Sequence, residues 1–393
     1  MHWSYWVIAL SVGLVGYAYF GYPLTLVAVR LVRRAPELVR DEPAEWPLIT
    51  ITLPAYNAEA TLRPVLEALV ASDYPTDRRQ ILVVSDGSTD GTDALVGEYA
   101  SRGVELLRVE GRVGKTEVEN RAFDSLRGQI IVNTDASVTI APDAVKKLVT
   151  ALQDPDVGVA SGRDISVASV GATGHASEAA YVGYEMWVRD LETAVGSIVG
   201  SSGCLYAIRA ELHRRYLPGH FSRDFSSAMW ARLNGVRAVS VREAICFVPR
   251  AANVRIEYRR KIRTMSRGIQ TLFFHGQLLN PLRHGLFAWA LWSHKLIRWL
   301  VPWALVAGTI AVLTAAGLGG QLWLAVGVGL GLALSAVGWL WPKSTAAPRI
   351  ASMAAYLVSG TLAGLVAWKR ALLGEGAPVW EPTPRALGGD ASR

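Results

Sequence analysis

The stretch "ILVVSDGSTDGT", residues 81–92, decides how this chain is read. Ile81 to Val84 form an unbroken apolar run that ends in Asp-Gly turn chemistry, the pattern of a buried strand stopping at a loop. A helical pattern begins again at Asp93. The same unit recurs in both directions. Upstream, "LITITL" (48–53) precedes a helix carrying Leu62, Val65, Leu66, Leu69 and Val70; downstream come "VELLRV" (104–109), a helix from Thr116, and "IIVNT" (130–134). Strand and helix alternating at this spacing predict an α/β fold with a mostly parallel sheet covered by helices on both faces.

In such sheets ligands gather at the carboxyl ends of the strands. The polar loops fall there: "PAYNAE" (54–59) after the first strand, "SDGSTDGT" (85–92) after the second, and "TDAS" (134–137) after the fourth. Each loop alone has a plainer reading. Asp86 and Ser88 could simply start a helix by capping, and Asp-Gly is a common turn. Three such loops aimed at one edge are the stronger signal.

Of the 393 residues, 51% are hydrophobic and only 19% charged, too apolar a balance for a purely soluble protein. The uncharged run from Trp3 to Val29 is long enough to cross a hydrocarbon core of about 30 Å as a tilted helix. It lacks a basic leader and a clear cleavage site, so it reads as a retained anchor. Trp299 to Pro342 is also uncharged and is divided by "GLGG" (317–320); Ile350 to Trp368 adds a further span. Four candidate spans result, one before the polar middle and three after it.

Arg30, Arg33, Arg34 and Arg40 follow the first span, and Arg283, Lys295 and Arg298 precede the second, which predicts a multi-pass protein of the inner (plasma) membrane with its polar middle in the cytoplasm. Lys343 and Arg349 then fall inside. Four full crossings would put the tail outside, yet it carries Lys369, Arg370 and Arg385. Either the last segment does not fully cross, or an extra helix lies near Leu282 to Leu291. The expected organisation is an anchor (1–32), an α/β domain (46–252), basic amphipathic interfacial helices (253–295), C-terminal membrane helices (296–370) and a tail (371–393).

Two cysteines, Cys204 and Cys246, argue against a disulfide framework or a zinc site. Much of the net charge of +7 flanks membrane segments or clusters after Ile256, and no nucleic-acid motif accompanies it. No charged residue interrupts the spans after Trp299, so a transporter with a midplane site is disfavoured.

At "PAYNAE", "SDGSTDGT", "GKTEVEN" (114–120), "TDAS", "GSSGCLYAIR" (200–209) and "RDF" (223–225), the chain resembles membrane-bound family 2 glycosyltransferases. This class has a GT-A catalytic domain and includes the cellulose, chitin and hyaluronan synthases. Order and spacing match over roughly Pro47 to Gln270, and "SHKLIRWLVP" (293–302) and "WEPTPR" (380–385) look like the family's membrane part. The resemblance implies an inverting enzyme that moves a sugar from a nucleotide-diphospho-sugar, UDP-linked, to a polysaccharide or lipid-linked acceptor at the inner face of the membrane. Membrane lipids and other polysaccharide-export components are the implied partners.

By the same resemblance, Asp86 recognises the base, Pro54, Tyr56 and Glu59 wall the nucleoside pocket, and Lys115 and Asn120 line it opposite. Asp135 matches the first aspartate of the DxD motif that binds Mg²⁺ or Mn²⁺ on the donor diphosphate, with Ser137 where the second carboxylate is expected. Such a cation takes one or two carboxylates plus phosphate oxygens and water. Ser137 also motivates a rival reading, a catalytically silent nucleotide-sugar-binding subunit of a synthesis complex. Asp224 matches the catalytic base; its plainer reading is an N-cap for "FSSAMWARL". Ser202, Gly203 and Cys204 would meet the acceptor. Glu178, Tyr181 and Glu185 share a helix face that either flanks the site or packs in the core. In place of the family's QxxRW the chain has Arg260, Arg263 and Arg267 at helical spacing, a cationic stripe fit for a diphosphate or for lipid headgroups.

Overall fold

The computed structural model describes residues 3–167, 176–249, 254–341 and 348–375, without the side chains of 176–180 and 254–256. Its strands are β1 (Ile49–Ala55), β2 (Arg79–Asp86), β3 (Val104–Val109), β4 (Ile130–Thr134), β5 (Thr139–Ile140), β6 (Val157–Val167), β7 (Leu205–Arg209) and β8 (Arg237–Pro249). They form one sheet in the order β3-β2-β1-β4-β7-β6-β8-β5. The run β3-β2-β1-β4 is parallel, as the alternating pattern predicts, while β7 is antiparallel to both β4 and β6. The strand order reverses between β1 and β4, and a crevice opens outside their carboxyl ends.

Every residue of β1 and β4 is buried, as in a parallel strand covered on both faces, and Thr50, Thr52, Asn133 and Thr134 are buried with the apolar residues. β3, at the sheet edge, is buried only at its two ends, Val104 and Val109. Helices α1 (Trp3–Val32), α2 (Glu59–Val70), α3 (Thr92–Gly97), α4 (Lys115–Arg121), α5 (Ala144–Ala151), α6 (Ala176–Val195), α7 (Arg223–Leu233) and α8 (Val254–Phe274) follow the chain. They are succeeded by α9 (Leu286–Gly319), α10 (Leu322–Leu340) and α11 (Arg349–Leu372).

Two apolar cores cover the two sheet faces, one around Ile51, Leu66, Val83 and Leu148, the other around Val84, Ile131, Ile208 and Trp230. A third joins helices of the sheet domain to the apolar helices: Tyr22 and Leu26 of α1, Val188 and Leu191 of α6, Phe225 and Met229 of α7, Ile269 of α8, Leu291 of α9 and Trp368 of α11. The helix α7 therefore rests on the apolar helices.

α1, α9, α10 and α11 are each long and apolar enough to cross a membrane. Leu286–Leu291, read from sequence as part of a possible extra crossing, runs through a π-helical turn (Trp292–Ile297) into Arg298–Gly319 as one continuous helix. No separate crossing forms there. The break predicted at "GLGG" occurs at Gly320, which takes the left-handed conformation after α9. α11 packs in parallel along the charged α8, with Tyr356 under Lys261, Gly364 beside Met265, and Trp368 against Phe273. Lys343, Arg385 and "WEPTPR" lie outside the described residues.

Candidate active site

A cleft of about 580 Å³ opens at the carboxyl ends of β1 and β4. Tyr56 follows β1 on one wall, Asp135 and Ser137 follow β4, Ser202, Gly203 and Cys204 form the loop before β7, and Asp224 enters from α7. Arg260 and Arg263 of α8 close another side. Among the described residues no group of three or more His, Cys, Asp or Glu stands together as a self-sufficient metal site. A single carboxylate with an adjacent hydroxyl, Asp135 and Ser137, fits a Mg²⁺ or Mn²⁺ that draws its other oxygens from a diphosphate and water.

Asp224 sits in the first turn of α7; the N-cap position belongs to Ser222. Ser222 Oγ donates to Asp224 Oδ1, and a Cβ at Gly203 would lie 2.9 Å from Asp224 Oδ2. Only glycine leaves the carboxylate in that place. Arg223, one residue before it, is 2% exposed and locks the helix start: it pairs with Glu119 (3.2 Å) and donates to the carbonyls of His213 (2.9 Å) and Arg215 (3.2 Å) and to Asn120 Oδ1.

Lys115 Nζ stands 2.6 Å from Asp135 Oδ1. Burial works to lower the Lys115 pKa, but Asp135, Glu119 and Asp224 together outweigh it and hold the ammonium above its ordinary value. Burial raises the Glu119 carboxyl against the opposing pull of Lys115 and Arg223. Asp86 closes β2 behind this wall. Its oxygens accept the N–H groups of Val113 (2.7 Å) and Gly114 (2.9 Å). Gly114 holds φ +92°, a conformation that glycine tolerates, and the bend starts α4 so that Lys115 reaches Asp135.

The other expected residues are placed as follows. Pro54 is buried within β1, and Glu59 accepts the Gly91 N–H at 2.8 Å. The Tyr56 ring lies under the Arg112 guanidinium at 4.0 Å. Asn120 spends its amide on Leu217, Glu117 and Arg223. Ser202 is 1% exposed, and its hydroxyl donates to Asp164 (2.6 Å) and accepts the Cys204 N–H (3.0 Å). Arg267 does not line the cleft; it donates to Thr116 Oγ1 (2.8 Å) and to the carbonyls of Gly219 (3.1 Å) and Phe221 (2.6 Å). Glu185 faces α9, where it meets Arg298 and His294. Tyr181 is exposed, and the Glu178 side chain is outside the described set.

Arg223, Asp164 and Arg112 are absent from the sequence expectations. "RDF" contained the first, but nothing local marks an arginine as buried. Cys204 and Cys246 are free thiols; Cys246 donates to Asp164 (3.3 Å), and burial first, then Asp164, pushes its thiol pKa well up.

Residues 50–217 match the family model described as Glycosyl transferase family 2. An N-acetylglucosaminyltransferase of Mesorhizobium japonicum is 32% identical over 164 residues, 39% of this chain and 38% of that protein. A beta-monoglucosyldiacylglycerol synthase of Synechocystis sp. is 26% identical over 166 residues, 40% of this chain and 33% of that protein. The matched stretch thus spans well under half the length of these relatives. Mannosyltransferase PcManGT from Pyrobaculum calidifontis, solved in complex with GDP-Man and Mn²⁺, is similar with a TM-score of 0.70 at 23% identity, over 94% of this chain and 99% of that one. That likeness establishes the architecture. Residues 50–217 belong to glycosyl transferase family 2, and the sheet that carries them has the GT-A fold.

Proposed function

We propose that the chain is an integral-membrane inverting glycosyltransferase that moves a sugar from a UDP-linked donor to a lipid-linked or polysaccharide acceptor at the inner face of the plasma membrane. The observation that carries this reading is the meeting of Asp135 and Asp224 in one cleft at the sheet's switch point. Asp224 accepts the proton of the acceptor hydroxyl as it attacks the anomeric carbon. Ser222 and Gly203 fix the carboxylate's direction, and Arg223 fixes the helix that bears it. Asp135 and Ser137 would hold Mg²⁺ or Mn²⁺, which supplies charge stabilisation to the departing diphosphate. Lys115, Arg260 and Arg263 surround the same region with positive charge and favour the phosphates there. Asp86 positions the Lys115 loop and, by the resemblance, is the residue that reads the base; Tyr56 lines the cleft with its aromatic ring.

Release of nucleoside diphosphate by the detergent-purified chain with Mg²⁺ or Mn²⁺ tests the reading. Asp224→Asn should lower transfer by about 10²–10⁴-fold while donor binding persists. Equal turnover by that variant removes Asp224 from the base role. No release by the native chain, with nucleotide still bound, would favour the silent-subunit reading that Ser137 motivates.

For the membrane arrangement, the parallel packing of α11 along α8 supports the reading in which the last segment lies along the interface. α8 carries Arg259, Arg260, Lys261, Arg263 and Arg267 and cannot sit in hydrocarbon, so a companion beside it shares its depth. The basic residues Lys369 and Arg370 then remain inside.

A further inference from the structure

The loop Gly200–Cys204 runs along the cleft in an order that separates two charged regions. At one end Cys204 O accepts from Thr134 Oγ1 (3.0 Å), next to Asp135. Gly203 faces Asp224. At the far end Ser201 O takes the Arg189 guanidinium (3.5 Å), and a Cβ at Gly200 would lie 3.6 Å from Lys295 Cε. Arg189 and Lys295 therefore stand beyond Asp224, away from the diphosphate side.

Neither cation forms a salt bridge among the described residues. Arg189 Nε and Nη1 are buried without a hydrogen-bond partner among the described residues. Lys295 lies 5.7 Å from the Phe225 ring and forms no ion pair among the described residues. The nearby carboxylates are already engaged: Glu185 by Arg298 and His294, Glu192 by His294 (2.6 Å) and Tyr22 (2.6 Å). Two half-buried cations without a salt bridge, one of them with two buried nitrogens left unbonded, are stabilised by an anion that joins them. Both line the open cleft, so an anion can reach them. Trp299, one turn after Lys295, lies edge-on to Phe225 (5.9 Å) where the uncharged stretch of α9 begins. An apolar route therefore leads from the cations into the span of α9.

We propose that Arg189 and Lys295 form an acceptor subsite for the phosphate of a membrane phospholipid whose headgroup carries a free hydroxyl. The acyl chains follow α9 into the bilayer, and the headgroup hydroxyl reaches Asp224. This rests on the glycosyltransferase reading above. In the step, the headgroup oxygen bonds to the anomeric carbon as the bond from that carbon to the donor phosphate breaks. The hydroxyl proton passes to Asp224, and nucleoside diphosphate leaves with the electron pair.

The test is equilibrium binding of phosphatidylglycerol, diacylglycerol and glycerol 3-phosphate to the full chain in detergent, with nucleoside diphosphate binding measured alongside. Phosphatidylglycerol is expected to bind best and to weaken roughly tenfold in Arg189→Gln and in Lys295→Gln, the loss of one charge-assisted contact. Lys295→Arg should restore most of the affinity. Unchanged nucleoside diphosphate binding in the same variants shows that they are folded and that the cations do not serve the donor. Equal phosphatidylglycerol affinity in all variants overturns the proposal, as does a matching loss of nucleotide affinity. Diacylglycerol binding as tightly as phosphatidylglycerol removes the phosphate from recognition, and glycerol 3-phosphate binding as tightly removes the lipid. Failure of the native chain to release nucleoside diphosphate counts against the glycosyltransferase reading alone.

Discussion

The cleft depends on small residues as much as on charged ones. Gly203 leaves no room for a side chain beside Asp224 Oδ2, so Gly203→Ala must turn that carboxylate or shift the loop. The expected result is a loss of kcat of about tenfold or more with little change in thermal midpoint, measured by steady-state kinetics and a melting curve. Lys115→Met removes the cation beside Asp135 and should weaken nucleoside diphosphate binding about tenfold or more, read by titration. Asp135 and Asp224 are legible in the sequence because each ends or begins an element inside a recurring motif. Arg223, Asp164 and Arg112 are not, because what defines them is a partner far along the chain: Glu119, Ser202 and Tyr56. Arg267 shows the converse. Its helical spacing with Arg260 and Arg263 is real, but the turn it occupies meets the 219–221 backbone before it can meet the cleft.

Among the elements, α7 carries the most consequence. Its inner face packs Trp230 edge-on to His275, whose ring also meets Ser226 Oγ (3.3 Å). Burial lowers the His275 pKa from 6.5 to about 4. As pH falls the unfolded chain takes up this proton before the folded one, so the stability is complete above pH 6.5 and lost on descent towards 4. The loss is at most on the order of 3 kcal/mol. His213, beneath the same helix, adds in the same direction: burial and then Arg223 and Arg214 hold it well below its usual value. A thermal midpoint that falls between pH 7 and 4.5, and falls less in His275→Gln, is the expected outcome. The strands β1 to β4 are legible because each is an apolar run closed by turn residues. Of the two arrangements the sequence leaves open, the extra helix near Leu282 to Leu291 is not separate, because a π-helical turn keeps Leu286–Leu291 and Arg298–Gly319 in one helix, which hydropathy alone does not show.

For the whole molecule, the placing of α11 beside α8 predicts that the C-terminus stays on the catalytic side. A reporter fused after Arg393 and probed in intact and opened cells should be protected until the membrane is breached; labelling in intact cells would mean a fourth full crossing. The third core adds a further expectation. Phe225 and Met229, on the helix that presents Asp224, share their contacts with Tyr22 from the first segment and Trp368 from the last. Trimming the chain to a water-soluble fragment would therefore take away the packing under Asp224, the proposed base. Detergent length or bilayer thickness, acting through the apolar helices beneath α7, becomes a means of tuning turnover from below.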